Sequence, residues 1–400
     1  MQNAAQNSDV IVVGAGPAGL TAAIACASAG ISTVLIGQSP ADNRTTALLA
    51  GSVTALETLG VWRRCADHAA PLRTMRLVDD TGRLVRAPEV KFESGEIGLD
   101  AFGWNIENRH LVAALNERAH ELPALAKIDA RVDSVEILGD HVSVRFDGQT
   151  VTARLVIGAD GRKSLCRDAA GIDTETRSYP QSALTLSFSH SRPHGETSTE
   201  FHTASGPFTL VPLPGKRSSL VWVLNPDEAG EIAALTSDAL SIELERRSQS
   251  ILGKIKVEPG RGLFPLTMSR AKTFASHRIA LAGEAAHVLP PIGAQGLNLG
   301  LRDAAAIGEL VIDAHRARRD PGADDVLREY DRIRHADVGS RALAVDLLNR
   351  SLLSDFLPVQ SARGLGLYML DRIGPLRRAV MREGTAPANN QPKLMRGEAI

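Results

Sequence analysis

This sequence of 400 residues has almost no net charge and very little cysteine. Its 45 basic and 46 acidic side chains leave a formal charge of −1 at pH 7, so the sequence predicts no nucleic-acid partner. The three cysteines are Cys26, Cys65 and Cys166, and no two of them form a C-x-x-C pair. This spacing predicts a reducing compartment and neither a zinc nor an iron–sulfur site, so we expect no metal centre.

A long stretch near the N-terminus lacks charged residues altogether. No Asp, Glu, Lys or Arg occurs from 10 to 41, a pattern shared by membrane spans and signal peptides. Both interpretations fail, because residues 1–9 contain no Lys or Arg and because five glycines and Pro17 interrupt the apolar run. We therefore expect a cytoplasmic protein, whose 44% hydrophobic residues suffice for more than one buried core.

A glycine-rich turn follows the first predicted strand. The β-branched run 9–13 is typical of a buried parallel strand, and the turn after it consists of Gly14, Ala15, Gly16, Pro17, Ala18 and Gly19. The first glycine permits a tight turn, the second lets the backbone approach a pyrophosphate, and the third lets the next helix pack on the strand. With a helix predicted over 20–29 and a strand over 34–36, the segment predicts a βαβ unit that binds a dinucleotide.

One element of the dinucleotide-binding pattern is missing. An acidic residue about twenty positions after the glycines normally holds the ribose hydroxyls. Here the second strand ends in Gly37, Gln38 and Ser39, and the first carboxylate after it is Asp42. Gln38 is therefore the candidate that supplies a neutral hydrogen bond in place of the acid.

A second apolar run, 155–157, leads through Gly158 into Ala159, Asp160 and Gly161. This turn has two interpretations. An Asp-Gly turn commonly does no more than end a strand. In the functional interpretation, Asp160 lies beside a cofactor, where its carboxylate accepts a hydrogen bond from a ribose or an amide.

A third strand, 278–282, ends in Gly283 and Glu284 and leads through a loop rich in proline and glycine into a helix that begins near Leu297. Gly293 and Gly296 would let the backbone lie against a flat ring. The N-terminus of the helix would stabilise the negative charge of a reduced flavin. The three strand-and-turn segments, in this order, predict a pocket for FAD.

The remaining pattern predicts further strands and helices. Strands are predicted over 75–78, 83–87, 130–138, 141–146, 183–188, 208–211 and 219–223, and a helix over 108–122. The strands between 182 and 223 have an antiparallel pattern and would cover a substrate cavity. After 300 the chain is predicted to be helical almost to its end.

These elements predict an α/β protein in which an antiparallel β-sheet substrate domain is inserted into a Rossmann-like FAD-binding domain. The FAD-binding domain is predicted in three parts, 1–75, 105–180 and 271–345. The substrate domain is predicted to comprise strands at 76–104 and an antiparallel sheet at 181–270. C-terminal helices are predicted over 346–384, and 385–400 is expected to be a disordered tail.

Five segments resemble a known enzyme family: the three turns described above, 44–48 and 106–111. They resemble the FAD-dependent aromatic hydroxylases of the ubiquinone-biosynthesis family, which are group A flavoprotein monooxygenases with a p-hydroxybenzoate-hydroxylase-like fold. The resemblance extends from about 9 to 382. The C-terminal segments 346–351, 357–358, 363–367 and 374–377 resemble the same branch.

The resemblance implies particular cofactor contacts. Arg44 and Asn108 would contact FAD, Asp160 would face both FAD and the incoming nicotinamide cofactor, and Glu284 would hold the ribityl chain. The family usually has Asp at the position of Glu284 and an acid at the end of the second strand, so this sequence departs from the pattern at both places. The candidate FAD-binding residues are Gly14, Gly16, Pro17, Ala18, Gly19, Gln38, Arg44, Asn108, Val132, Asp160, Gly161, Glu284, Pro291, Gly293, Gly296, Leu297 and Asn298.

The resemblance also implies a reaction. NADPH or NADH would reduce FAD, O₂ would form a C4a-hydroperoxyflavin, and one oxygen atom would pass to a polyprenylated phenol in ubiquinone biosynthesis. No second glycine fingerprint is present, which fits transient docking of the nicotinamide cofactor. His287 is a candidate for a base that deprotonates the phenol, but a histidine after a strand also serves as a structural hydrogen-bond partner.

Two alternative functions stay open at this point. The protein would hydroxylate a small soluble aromatic compound instead, or it would be a non-catalytic accessory of a quinone-biosynthesis complex. The apolar residues of 365–381 lie among arginines, which predicts either peripheral contact with the inner membrane or a helix packed on its own domain.

Overall fold

The structure, a computed structural model, describes residues 6–39, 42–82, 87–353, 364–366, 368–370, 372–385 and 391–400. Nearly all of the strand predicted over 83–87 and part of the C-terminal resemblance, including 357–358, lie outside the described residues. Within the described ranges, the strands form an eight-stranded, a nine-stranded and a three-stranded sheet.

The secondary-structure elements are numbered along the chain. The strands are β1 (Gln6–Val13), β2 (Thr33–Ile36), β3 (Thr45–Leu49), β4 (Ala69–Pro71), β5 (Thr74–Asp79), β6 (Val90–Glu93), β7 (Gly103–Glu107), β8 (Leu125–Ile128), β9 (Val132–Leu138), β10 (His141–Phe146), β11 (Gln149–Gly158), β12 (Thr174–His190), β13 (Thr197–His202), β14 (Pro207–Leu213), β15 (Arg217–Leu224), β16 (Ile255–Val257), β17 (Gly262–Ala271), β18 (Ala275–Ser276), β19 (Ile279–Leu281) and β20 (His287–Val288). The α-helices are α1 (Pro17–Ser28), α2 (Ala50–Thr58), α3 (Asn108–His120), α4 (Leu165–Ala169), α5 (Pro226–Ala234), α6 (Ser237–Arg247), α7 (Gln295–Arg316), α8 (Asp324–Leu353) and α9 (Gly374–Thr385). Short 3₁₀ helices are formed by Trp62–Arg64, Ala66–His68, Ser94–Ile97, Gly283–Ala285 and Lys393–Arg396.

The eight-stranded sheet is built around β1. Its order is β18-β19-β11-β1-β2-β8, with β9 and β10 attached through β11. The side chains of 10–13 are at most 3% exposed, as expected for a β-branched run enclosed on both faces. β1, β11 and β19 are parallel, so their carboxyl ends and the turns that follow lie at one edge of the sheet. This arrangement confirms the predicted α/β architecture.

Helix α1 begins at Pro17, three residues earlier than predicted. Proline is favoured in the first turn because its missing N–H is not needed there and its φ angle suits a helix. Helix α7 likewise begins at Gln295, slightly before the predicted start near Leu297.

The nine-stranded sheet is mostly antiparallel and has the order β20-β17-β12-β15-β14-β13-β5-β6, with β16 attached to β12. Its core contains Trp222, whose ring meets that of Phe208 edge-on at 5.1 Å between centroids, together with side chains of α5 and α6. The small sheet, in the order β3-β7-β4, contacts it through Asn105, which donates to Pro212 O at 2.8 Å and to Ser219 Oγ at 3.0 Å. The predicted antiparallel sheet is thereby confirmed.

The expectation of a disordered tail over 385–400 is wrong for 391–400. Leu394 and Met395 are buried at 1% and 5% exposure, and Lys393 Nζ lies 3.4 Å from Glu309 and 3.5 Å from Asp313. The segment is polar in composition, but two of its apolar side chains pack on the core around the eight-stranded sheet. Residues 386–390 lie outside the described residues.

Candidate cofactor site

Three turns meet at the carboxyl ends of β1, β11 and β19. A Cβ on Gly14, whose φ is +110°, would overlap the carbonyl oxygen of Ala159 in the second turn. A Cβ on Gly283 would lie 3.2 Å from the Cβ of Ala18, which connects the third turn with α1. The structure thus brings the three predicted segments into direct contact.

Some glycines lie at the open side of this junction, which we call its mouth, and have free space next to their Cα atoms. A Cβ on Gly16, Gly161 or Gly296 would meet no atom within 4 Å. These positions contrast with Gly14 and Gly19, where a Cβ would overlap protein backbone. Two glycines of the first turn therefore serve packing, and Gly16 leaves room for a ligand.

Two helices begin at the junction without a side-chain cap. The N-cap of α1 is Gly16, and the N-cap of α7 is Ala294 in the left-handed region with a φ of +54°. Neither N-cap side chain accepts a hydrogen bond, and neither first turn contains an acidic residue. Uncapped N–H groups at a helix start favour an anionic ligand, so these two starts and the open glycines fit the pyrophosphate and the ring of FAD.

Gly37, at the end of β2, lies against the first turn. A Cβ there would lie 2.6 Å from Ala15 N, so the close approach itself requires glycine. Ser39 Oγ donates to Ala15 O at 2.9 Å and holds the same turn. Gln38 is exposed, and its predicted bond to a ribose stays a prediction.

Arg44 and Asn108, two candidates outside the turns, share one partner that the sequence analysis did not assign. Asp42 accepts hydrogen bonds from Arg44 Nε at 2.9 Å, Arg44 Nη2 at 2.8 Å and Asn108 Nδ2 at 2.8 Å. Burial alone would raise the pKa of Asp42, but these hydrogen bonds outweigh it and hold the pKa below its ordinary value. The available signal was the Asp-x-Arg spacing, which favours a local ion pair.

Glu284 faces the second turn. It accepts from Arg162 Nε at 3.2 Å and from Arg162 Nη2 at 3.4 Å, and both side chains are about half exposed, at 49% and 50%. The hydrogen bonds that Arg44 donates to Asp42 raise the pKa of Arg44, and the charge of Glu284 acts in the same direction. The charged side chains at the mouth therefore alternate in sign along Asp42, Arg44, Glu284 and Arg162.

The carboxylate of Asp160 has a local role in the structure. It accepts from Ser164 Oγ at 2.6 Å and from Cys166 N at 3.1 Å, which holds the start of α4. Arg167 then donates to Ala285 O at 3.1 Å and to Arg162 O at 2.9 Å, which ties the second turn to the third. A bond from Asp160 to a ribose or an amide stays a prediction.

His287 lies in a buried cluster behind the third turn. Its Nε2 lies 2.7 Å from Asp303 Oδ2, and the two side chains are 1% and 0% exposed. Asp303 also accepts from Gly283 N at 2.9 Å and from Arg334 Nε at 2.6 Å. This geometry supports the structural interpretation of His287 over a role as phenol base, because the ring is enclosed and its Nε2 is already engaged by Asp303.

Asn298 fastens the start of α7 to the neighbouring elements. Its Oδ1 accepts from Leu49 N at 2.8 Å and Ser52 Oγ at 2.7 Å, and its Nδ2 donates to Ala47 O at 2.8 Å and Ala294 O at 2.6 Å. The side chain is 2% exposed and fully used, so it would position the loop instead of bonding FAD itself. The sequence analysis named Asn298 as a candidate FAD-binding residue, but it did not predict this positioning role.

The other candidates of the third segment surround this loop. Pro291 and Gly293 are exposed and Leu297 is half-buried. Val132 is 7% exposed and belongs to the core at the start of β9. Contact of these residues with FAD stays a prediction.

Comparisons with known proteins support FAD as the cofactor. The chain matches the family model described as FAD binding domain over residues 7–343. It is 38% identical to the ubiquinone hydroxylase UbiL of Rhodospirillum rubrum, over 98% of this chain and 93% of that protein. It is 30% identical to the 3-demethoxyubiquinol 3-hydroxylase of Escherichia coli, over 94% of this chain and 98% of that protein. The solved structure of Klebsiella pneumoniae HpxO complexed with FAD and uric acid shares the fold, with a TM-score of 0.77, 20% identity and coverage of 96% of this chain and 97% of that one.

Proposed function

Since this chain belongs to the FAD-dependent aromatic monooxygenases, we propose that it hydroxylates a polyprenylated phenol in ubiquinone biosynthesis. The family follows from the matched FAD binding domain and from the relatives, two of which are named as hydroxylases of ubiquinone or of a ubiquinol. The observation that carries the proposal is the junction of three turns, where two uncapped helix starts face open space above Gly16 and Gly296. FAD bound there, with NADPH or NADH as transient co-substrate, would supply the activation of O₂.

The residues of the chain bind and orient the reactants in this proposal. The N–H groups at the start of α1 would bind the pyrophosphate of FAD, and those at the start of α7 would stabilise negative charge on its ring. Arg44 and Asn108 would hold the cofactor from the side of β3 and α3. The nine-stranded sheet would cover the phenol and exclude water from the reacting atoms.

The proposal predicts a yellow protein and a defined metabolic defect. Purified protein should carry FAD and oxidise NADPH or NADH faster when a prenylated phenol is added, because substrate and flavin are then held together.

A deletion strain should accumulate one under-hydroxylated quinone precursor in its lipid extract, measured by mass spectrometry. A colourless protein that takes up no added FAD would favour the accessory function, and stimulation by a phenol without a prenyl tail would favour a soluble substrate.

Peripheral membrane contact belongs to the same proposal. Among the described helices, none is long and apolar enough to cross a membrane. Large apolar side chains are nevertheless exposed toward the C-terminal end of the chain, namely Leu365, Tyr368, Met369, Ile373, Leu376 and Val380. Arg378 and Arg382 follow in the same segment, a composition typical of interfacial helices. Such contact, and membership in a quinone-biosynthesis complex, would bring the enzyme to its substrate.

Membrane contact is tested with substitutions that keep the chain intact. Triple replacement of Leu365, Ile373 and Val380 by Glu should lower co-sedimentation with anionic phospholipid vesicles by about tenfold or more, because apolar burial and charge attraction are both weakened. Ile242→Glu, at a side chain of α6 that is 67% exposed, is the matched control and should bind as the unmodified protein does. Equal binding of all three proteins would remove the membrane proposal.

A further inference from the structure

Asp42 is the first carboxylate after β2, and it lies outside all three turns. We propose that Asp42 is a positioning residue, which orients Arg44 and Asn108 for binding FAD. The inference rests on the proposed function, because it requires that FAD occupies the junction of the turns.

The hydrogen bonds of Asp42 show whether it replaces the acid that is missing at the end of β2 or acts on its two neighbours. Oδ1 accepts from Arg44 N at 3.0 Å and Arg44 Nε at 2.9 Å, and Oδ2 accepts from Arg44 Nη2 at 2.8 Å and Asn108 Nδ2 at 2.8 Å. A carboxylate offers about four acceptor positions, and all of them are in use. Asp42 therefore does not replace the acid that is missing at the end of β2, and it acts on its two neighbours.

Arg44 needs such a partner. Its side chain is half exposed, at 50%, and an unrestrained arginine would lose much rotamer freedom on binding a ligand. The two parallel bonds from Nε and Nη2 to Asp42 hold the guanidinium plane in one orientation before the ligand arrives. The remaining N–H groups of the guanidinium can then donate hydrogen bonds to an anionic ligand.

Asn108 is oriented from both sides. Its Nδ2 donates to Asp42, and its Oδ1 accepts from Thr46 Oγ1 at 2.6 Å. The carboxylate therefore links the β2–β3 connection with the first residue of α3. One acidic side chain holds two candidate FAD contacts that lie 64 positions apart in sequence.

Substitution of Asp42 distinguishes a positioning role of this residue from an effect of its negative charge alone. Asp42→Asn removes a negative charge near the mouth, and if only charge mattered, the affinity for the pyrophosphate of FAD would increase. If Asp42 orients Arg44 and Asn108, the affinity for FAD decreases instead. The two effects have opposite signs, so the direction of the change is the decisive result.

The experiment titrates FAD into apoprotein and follows the quenching of flavin fluorescence. Asp42→Asn should weaken FAD binding by about tenfold, the scale of one hydrogen bond to a charged group. In a background that carries both Arg44→Met and Asn108→Ala, the same substitution should weaken binding by less than about twofold, since its effect passes through these two residues. The circular dichroism of bound flavin should change in Asp42→Asn, whereas the thermal unfolding of the apoprotein should stay close to that of the unmodified chain.

Asp147→Asn is the matched control. Asp147 is exposed, has a φ of +45° that Asn also tolerates, and lies in the turn between β10 and β11. The Asp147→Asn variant should bind FAD with the same affinity as the unmodified protein. Unchanged or tighter FAD binding by Asp42→Asn would overturn the inference and leave the proposed function intact. A tenfold loss that persists when Arg44→Met and Asn108→Ala are both present would do the same. Unmodified protein that binds no FAD would overturn both.

Discussion

Gly16→Val should abolish useful FAD binding without unfolding the protein. A Cβ at Gly16 meets no protein atom within 4 Å, so the apoprotein has room for the new side chain. The branched side chain would instead fill the space through which a pyrophosphate approaches the uncapped start of α1. We expect FAD affinity to fall about 100-fold or more, which corresponds to about 2.7 kcal/mol, with little change in the melting temperature of the apoprotein.

Two further variants serve as comparisons for Gly16→Val. Gly230→Val, in α5, also places a side chain in open space and should retain FAD. Gly14→Val should fail in a different way, because Gly14 has a φ of +110° and its Cβ would overlap Ala159. That variant should lose apoprotein stability together with FAD. Retention of FAD by Gly16→Val would refute the placement of the pyrophosphate at the start of α1.

Asp303→Asn should produce the largest loss of stability. The carboxylate of Asp303 is fully buried and meets His287, Arg334 and Gly283 N. Neutralising Asp303 removes part of the compensation of Arg334, which keeps Asp337 as a partner at 2.6 Å, and breaking such a buried pair typically costs about 3–5 kcal/mol. Urea unfolding of the apoprotein at pH 7 measures the change. Asp140→Asn removes an exposed partner of His141 and should unfold as the unmodified chain does.

The pH dependence gives a second test of Asp303. Burial alone would raise the pKa of this carboxyl, but His287 and Arg334 outweigh burial and hold it below the ordinary value. A lowered folded-state pKa stabilises the protein above the unfolded value of about 3.9, and that contribution disappears as pH falls through the folded pKa. The stability gap between the unmodified chain and Asp303→Asn should therefore shrink below about pH 4. A gap that is constant throughout the acid range would show that the charge of Asp303 is not what stabilises the cluster.

The parts of the site that sequence predicts well are those fixed over short distances along the chain. The strand, glycines and helix of the βαβ unit follow one another within 6–36, and Gly19 has a steric reason within the turn itself, because a Cβ there would overlap the carbonyl oxygen of Gly14. The missing acid also has such a reason, because Gly37 lies against Ala15. Local rules therefore predicted the dinucleotide-binding half of the fold and the position of its turns.

The roles that sequence did not predict depend on distant partners. Asn298 bonds to Leu49 and Ser52, which are 249 and 246 positions away, and no spacing rule connects them. Asp303 meets His287 and Arg334 only because α7, α8 and the third turn pack together. The burial of Leu394 and Met395 in the supposed tail has the same origin, since their apolar surroundings come from other elements.

Two of the strands at which the chain enters or leaves the nine-stranded sheet, β12 and β17, are paired with each other. Their antiparallel ladder joins Thr174 to Ala271 at one end and continues to Thr185 and Gly262, with an irregularity between Ser178 and Ser182. A hinge would require these connections to bend independently, and backbone hydrogen bonds between them oppose that. The proposed polyprenylated substrate would therefore enter and leave through movement of loops and side chains, and variants that change its turnover should be sought at those loops.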